Sequence, residues 1–176
     1  MWISRVFLLL FSLGACLAAP AVAFGASVDE DDDGPKKWEE VAVQFPPMPR
    51  QEDLVGFFVS STTDNRFFVD STSLSVGSDG VVRYVLVVVT GSGTRNVSFE
   101  GMRCESRERR LYAFGRSDGN WSKSRNGQWE RIREGGINRQ HAALFLEYFC
   151  PGGVIVSSAE EARDALRRGG HPSTVR

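Results

Sequence analysis

The sequence predicts an α+β domain, an antiparallel meander sheet of about five to seven strands with two C-terminal helices packed on it. Three observations predict it. Short β-rich segments separated by Gly, Asp and Asn clusters recur from about residue 54, at the roughly 8–12-residue spacing of consecutive hairpins. One of them, residues 81–89, is a nearly unbroken β-branched run, the composition of a central strand covered on both faces. From residue 138 the apolar period lengthens from that of a strand to that of a helix.

Gly56-Phe57-Phe58-Val59 and Arg66-Phe67-Phe68-Val69 read as the first two strands, joined by the polar turn Ser60-Ser61-Thr62-Thr63-Asp64-Asn65. Ser78-Asp79-Gly80 turns the chain into the 81–89 run, and Gly91-Ser92-Gly93 turns it out again. In residues 96–103, Val97 and Phe99 share one face and Asn96, Ser98 and Glu100 the other, where a solvated charge is expected. Residues 110–114 and the turn Ser117-Asp118-Gly119-Asn120 follow. Residues 121–125 and 128–132 flank Asn126-Gly127, a favoured pair for a two-residue turn, so a last hairpin is predicted there. Residues 138–149 form a helix, with Ile137, His141, Leu144 and Tyr148 on one stripe, ended by Pro151-Gly152-Gly153. Val154-Ile155-Val156 suits one more short strand. Ser158 and Glu161 have capping-box spacing for a final helix over 159–168, stopped by Gly169-Gly170.

Outside that domain, taken as residues 51–168, composition changes. Residues 1–23 read as a targeting segment: Arg5 supplies a positive n-region, and an apolar run from Val6 is broken by Gly14 and Pro20, too short for a membrane span. Two cleavage readings compete. Ala21-Val22-Ala23 is an A-x-A site that releases a soluble protein, whereas Leu13-Gly14-Ala15-Cys16 resembles a lipobox, ending the signal at residue 15 and lipidating Cys16. Either predicts a periplasmic or envelope location, with the membrane met only through a lipid anchor at Cys16. Residues 24–50 form an acidic and Pro-rich linker, in which residues 29–33 stay solvated as a spacer. Trp38, Val41, Val43 and Phe45 suggest a short extended piece that docks on the domain, before Pro46-Pro47-Met48-Pro49 stiffens the connection. Residues 169–176, with His171, are expected to be a disordered tail.

Cys16 is either cut away with the signal or lipidated, which leaves Cys104 and Cys150 as one pair in an oxidising compartment, a disulfide by default. It would staple the end of a strand to the end of a helix. The short ligand spacings of structural zinc are missing, so neither metal nor cofactor is expected.

Phe67-Phe68-Val69-Asp70-Ser71, Asp79-Gly80-Val81-Val82-Arg83-Tyr84 and residues 96–104, Asn96 to Cys104, resemble the CNP1-like family of proteobacterial exported proteins. Tyr112-Ala113-Phe114-Gly115, Asp118-Gly119, Trp121 and Trp129 continue the resemblance, which spans roughly residues 37–157. It implies an exported domain of uncharacterised biochemical role, and it brings no catalytic or binding residues with it.

Charge is nearly balanced, 21 basic against 22 acidic residues, so no basic footprint for nucleic acid exists. No S-x-x-K motif or P-loop is present, and the one G-x-S-x-G spacing, Gly115 to Gly119, falls on the strand turn Ser117-Asp118-Gly119-Asn120, so it is no strand-to-helix nucleophile elbow. His141 is the one candidate general base, though on a helix stripe it reads first as a hydrogen-bonded structural residue. Glu100 and Glu105 are the available carboxylate pair. The richest surface is residues 107–133, where arginines interleave with aromatic residues. Arg116, Trp121, Arg125 and Trp129 are singled out as a face for an envelope protein or polymer. Read structurally, the same residues are cross-strand aromatic pairs flanked by solvated arginines. The expected function is therefore non-enzymatic binding, with a hydrolase of cell-wall or outer-membrane material as the alternative.

Overall fold

The computed structural model describes residues 37–136 and 138–174. The expected targeting segment with Cys16, the acidic residues 29–33 and Ile137 lie outside them. Eight strands form one antiparallel sheet: β1 (Leu54–Phe57), β2 (Arg66–Asp70), β3 (Ser75–Val76), β4 (Val81–Val89), β5 (Arg95–Arg103), β6 (Glu108–Gly115), β7 (Trp121–Lys123) and β8 (Trp129–Arg131). The order is β1-β2-β4-β5-β6-β7, with β3 beside β4 and β8 beside β6. The fold is α+β as predicted, with more strands than expected. The reason is local: two strands are each cut in two. Between Val69↔Leu86 and Ser75↔Arg83, β4 moves three residues while its partner moves six, so three residues loop out and β2 resumes as β3. Eight segments thus occupy six positions in the sheet.

The same device overturns the predicted last hairpin. Both β7 and β8 run antiparallel to β6, along one edge: Ala113↔Lys123 and Arg110↔Trp129 again differ by three residues on β6 and six on the partner. Asn126-Gly127 therefore lies in a loop between two collinear strands and reverses nothing. The carbonyls of Tyr112 in β6 and of Arg107 just before it accept from the amides of Ser124 and Ile132, so the edge is paired on both sides of the loop.

In β4, residues Val81 to Val87 are all buried. Val82, Tyr84 and Leu86 enter one core with Met102, Leu144, Phe149 and Leu166. Val85 and Val87 enter a second core, on the opposite face, with Phe99 and Tyr112. Helical segments cover the first face: α1 (Arg139–Ala143), the π-helical turns Leu144–Phe149 that prolong it, and α2 (Ala159–Arg168). The wider turns bury Tyr148, Phe149 and Cys150 together. Cys104, just after β5, is bonded to Cys150 across a sequence separation of 46, tying these turns to the sheet. Ser158 accepts from the Glu161 amide, while the Glu161 carboxylate reaches back to Ser157. Gly169 ends α2 in the left-handed conformation, φ 76°, where a side chain would be strained.

Two further expectations are corrected. Residues 154–156 are not a strand; the Val156 amide donates to Phe149, and the three residues bridge the π-helical turns to α2. Residues 169–174 are docked, not disordered. His171 Nε2 lies 2.9 Å from Glu161 Oε1, its backbone amide donates to Glu147 O, and Tyr148 OH donates to Gly169 O. The tail closes against α2 and the π-helical turns because the Glu161 carboxylate and the Glu147 carbonyl both meet the histidine.

Candidate functional site

Alternation sets the first feature. Glu100 lies opposite Tyr84 in the β4–β5 ladder, on the face that the helices cover. It is only 3 % exposed, in contrast to the solvated charge expected there. Its carboxylate accepts from Ser98 Oγ at 2.7 Å and Tyr84 OH at 3.2 Å, and from His141 Nε2–H at 2.7 Å. Burial alone would raise its pKa, but the electrostatic pull of neighbouring His141 and the hydrogen bonds from His141 and Ser98 hold it at about 2. Burial and the adjacent carboxylate together push the Tyr84 hydroxyl well up. His141, 4 % exposed, is thus bound on one side, while its Nδ1 is buried without a hydrogen-bond partner. Glu105 is no partner for Glu100: it is an exposed residue in the turn after β5, paired with Arg103.

His141 forms part of the wall of a pocket of about 470 Å3, with Arg109, Glu130, Ile132, Arg133 and Asn138. On the other side of Arg109 lies a second pocket of about 390 Å3, lined by Leu111, Phe114, Ser122, Lys123, Arg125 and Glu130. Arg109 reaches Glu130 Oε2 at 3.0 Å between them. Phe114 stands 52 % exposed on this stretch of sheet, beyond the cover of the helices.

On the opposite face the N-terminal extended segment is strapped down. Glu40 joins Arg110 and Tyr112 by hydrogen bonds and lies 3.5 Å from Arg83. Asp79 pairs with Arg83 and accepts the Val41 amide at 2.9 Å. Burial would raise the Asp79 carboxyl, yet Arg83 and the Val41 amide keep it below its usual range. The Arg103 guanidinium sits 4.1 Å over the Trp38 ring. Docking of Trp38, Val41, Val43 and Phe45 was legible in the sequence; the charges that fix it were not.

These contacts redistribute the predicted binding face. Trp121 is half-buried, donating from Nε1 to Pro46 O at 2.7 Å and packing on Phe45 and Phe99. Trp129 meets Trp38 edge-on, centroids 5.9 Å apart. Both rings hold the N-terminal segment. Arg116 pairs with Asp118 in the β6–β7 turn, and Arg125 lies in the β7–β8 loop. The four residues do not converge on one exposed surface. Arg109 and Phe114 lie within the arginine–aromatic stretch 107–133 read from the sequence but are not among the four residues singled out there; their signal was the alternation of β6 next to an edge.

A buried histidine fixed by a carboxylate can hold an orientation and carry a proton, and the neighbouring guanidinium can bind an anion. Among the described residues, no group of three or more His, Cys, Asp or Glu side chains gathers as metal ligands do.

The model of the CNP1-like family matches residues 33–167. The chain is 25% identical over 137 residues to the Cryptic neisserial protein 1 of Neisseria gonorrhoeae (strain ATCC 700825 / FA 1090). That match takes in 68% of this chain and 66% of the relative's length, just under two thirds of it. No solved structure matches the chain significantly.

Proposed function

The chain belongs to the CNP1-like family, and from that premise we propose that it is an exported cell-envelope protein whose domain acts by binding, with the outer edge of its sheet as contact surface. One observation carries the reading. Residues 121–133 hold Lys123, Arg125, Arg131 and Arg133 against the single carboxylate Glu130, and Arg109 already engages that carboxylate. All four cations are exposed, and Phe114 stands bare beside them. A cationic surface with an apolar centre suits an acidic envelope protein or polymer, since long-range attraction steers it in and the ring supplies contact area. Of the residues singled out from sequence, Arg116 pairs with Asp118 in the β6–β7 turn, while Arg125 belongs to this rim. Trp121 and Trp129 support it from below.

Export rests on residues 1–23, with release after Ala23 or lipidation at Cys16 as the two routes. Metabolic labelling with a fatty acid separates them: label lost in Cys16→Ala means an anchored protein, and no label in the parent means a free one.

A hydrolase acting on envelope material has one observation in its favour, His141 held by Glu100 beside a pocket. No serine or threonine hydroxyl is hydrogen-bonded to His141 among the described residues, which leaves it without an activated nucleophile.

The test of the binding reading replaces Phe114, Lys123 and Arg125 together by Ser, Gln and Gln. All three are exposed, so the fold is expected to survive, with circular dichroism and melting temperature as checks. Retention on envelope fractions should fall about tenfold or more, since several charges and an apolar anchor are lost at once. Unchanged retention by a folded triple variant would sink the proposal.

A further inference from the structure

We propose that the pocket between β8 and α1 binds an oxyanion group, carboxylate or phosphate, gripped by Arg109 and His141.

The wall is built for it. Glu100 takes donors from β4, β5 and α1, namely Tyr84, Ser98 and His141. A saturated carboxylate of this kind fixes the His141 ring, with Nε2–H pointing inward. Nδ1 is then the ring's unused polar atom, buried and without a protein partner. Such an atom is costly where nothing binds it, and so marks a place where a ligand completes the structure. Around the pocket, Arg109 from β6, Arg131 from β8 and Arg133 beyond it outnumber Glu130. Arg109 contacts Glu130 through one terminal nitrogen, and its planar fork has further N–H donors for an oxyanion.

A proton balances the geometry. An oxyanion at Nδ1 requires Nδ1–H, so the bound state holds His141 as imidazolium, donating to Glu100 on one side and to the ligand on the other. Glu100, itself bonded to Tyr84, contacts the ring, and Arg109, Glu130, Arg131 and Arg133 share the pocket wall with it; the buried Glu100 charge is the one that offsets the added proton. A pocket of about 470 Å3 far exceeds one such group, so the oxyanion is one part of a larger ligand.

Because the pocket opens beside the edge proposed to bind a partner, its assignment rests on that reading, yet the two fail separately. Lost envelope retention concerns Phe114, Lys123 and Arg125, whereas the pocket is tested on the purified protein. The chain has two histidines, so a His171→Gln variant assigns the ring signals. The 15N-labelled protein is titrated with inorganic phosphate and glycerol phosphate, and separately with acetate and glucuronate. The expected result is a saturable shift of the His141 ring nitrogens, with Nδ1 moving to its protonated position, under at least one pair. The pair that saturates at lower concentration names the ligand's group. Chloride at matched ionic strength should leave the signals in place, and Arg109→Gln should weaken binding tenfold or more. Among the described residues Arg109 pairs with the half-exposed Glu130 alone, so this variant is expected to fold. No saturable shift with any of the four probes, or undiminished affinity in Arg109→Gln, overturns the proposal.

Discussion

A carboxylate at position 100 would meet water in an isolated hairpin. Here helices close over that face, and Tyr84, Ser98 and His141 replace the water. The alternation of β5 was legible in the sequence, including the face on which Glu100 falls. What covers that face was not, because burial of a strand residue is decided by elements some 40 residues away in the chain, α1 and its π-helical extension. Removing one member of a buried charged cluster strands the others, so Glu100→Gln should cost on the order of 3 kcal/mol in urea unfolding. The pH dependence has a definite sign. A group held at about 2 against an ordinary 4.5 stabilises the fold fully above about 4.5, and that stability is lost as pH falls toward 2. The melting temperature should therefore fall between pH 4.5 and 2 in the parent, with a shallower slope in Glu100→Gln. A second residue-scale prediction concerns Gly101. A Cβ there would overlap the hydroxyl and ring of Tyr112, so Gly101→Ala should destabilise by about 1–3 kcal/mol by displacing the ring.

Among the elements, long periodic runs were read correctly and interrupted ones were not. The run in β4 and the cap-to-glycine frame of α2 are local signals, satisfied within a few residues. By contrast, Asn126-Gly127 carries a turn propensity that tertiary pairing overrides: β6 offers an edge long enough for both β7 and β8, and three residues loop out between them. Residues 154–156 failed as a strand for a related reason, since the Val156 amide is taken by Phe149 and no sheet edge lies beside them. The N-terminal segment was expected to dock, and the residue that locks it is Glu40. The Val41 amide, bonded to Asp79 Oδ2, is its natural reporter. In Glu40→Gln that amide should exchange about tenfold faster while amides of β4 keep their protection, the pattern of local opening. Equal acceleration in β4 would mean that the segment is not a separate opening unit.

Taken whole, the molecule is a sheet with two differently covered faces and one uncovered margin. Helices seal one face, the N-terminal segment lies over the other, and the disulfide joins the helical layer to β5. Closing a loop of 46 residues stabilises by about 4 kcal/mol in the chain-entropy picture. Cys150→Ala should lower unfolding stability by roughly 2–4 kcal/mol. Mass spectrometry of unreduced tryptic peptides should recover Cys104 and Cys150 linked. The cysteine pairing was legible by elimination. The margin was not, because it arises where the helical layer stops short of β6 and β7, a dimension that no pattern in the strands encodes.

That margin is tested most directly by a photo-reactive amino acid placed in turn at Phe114, at Arg125 and, as a control, at exposed Arg167 on α2, with irradiation in intact cells. Binding through the sheet edge predicts a discrete cross-linked product at positions 114 and 125 and none at 167. Cross-linking at 167 with none at 114 or 125 would contradict it.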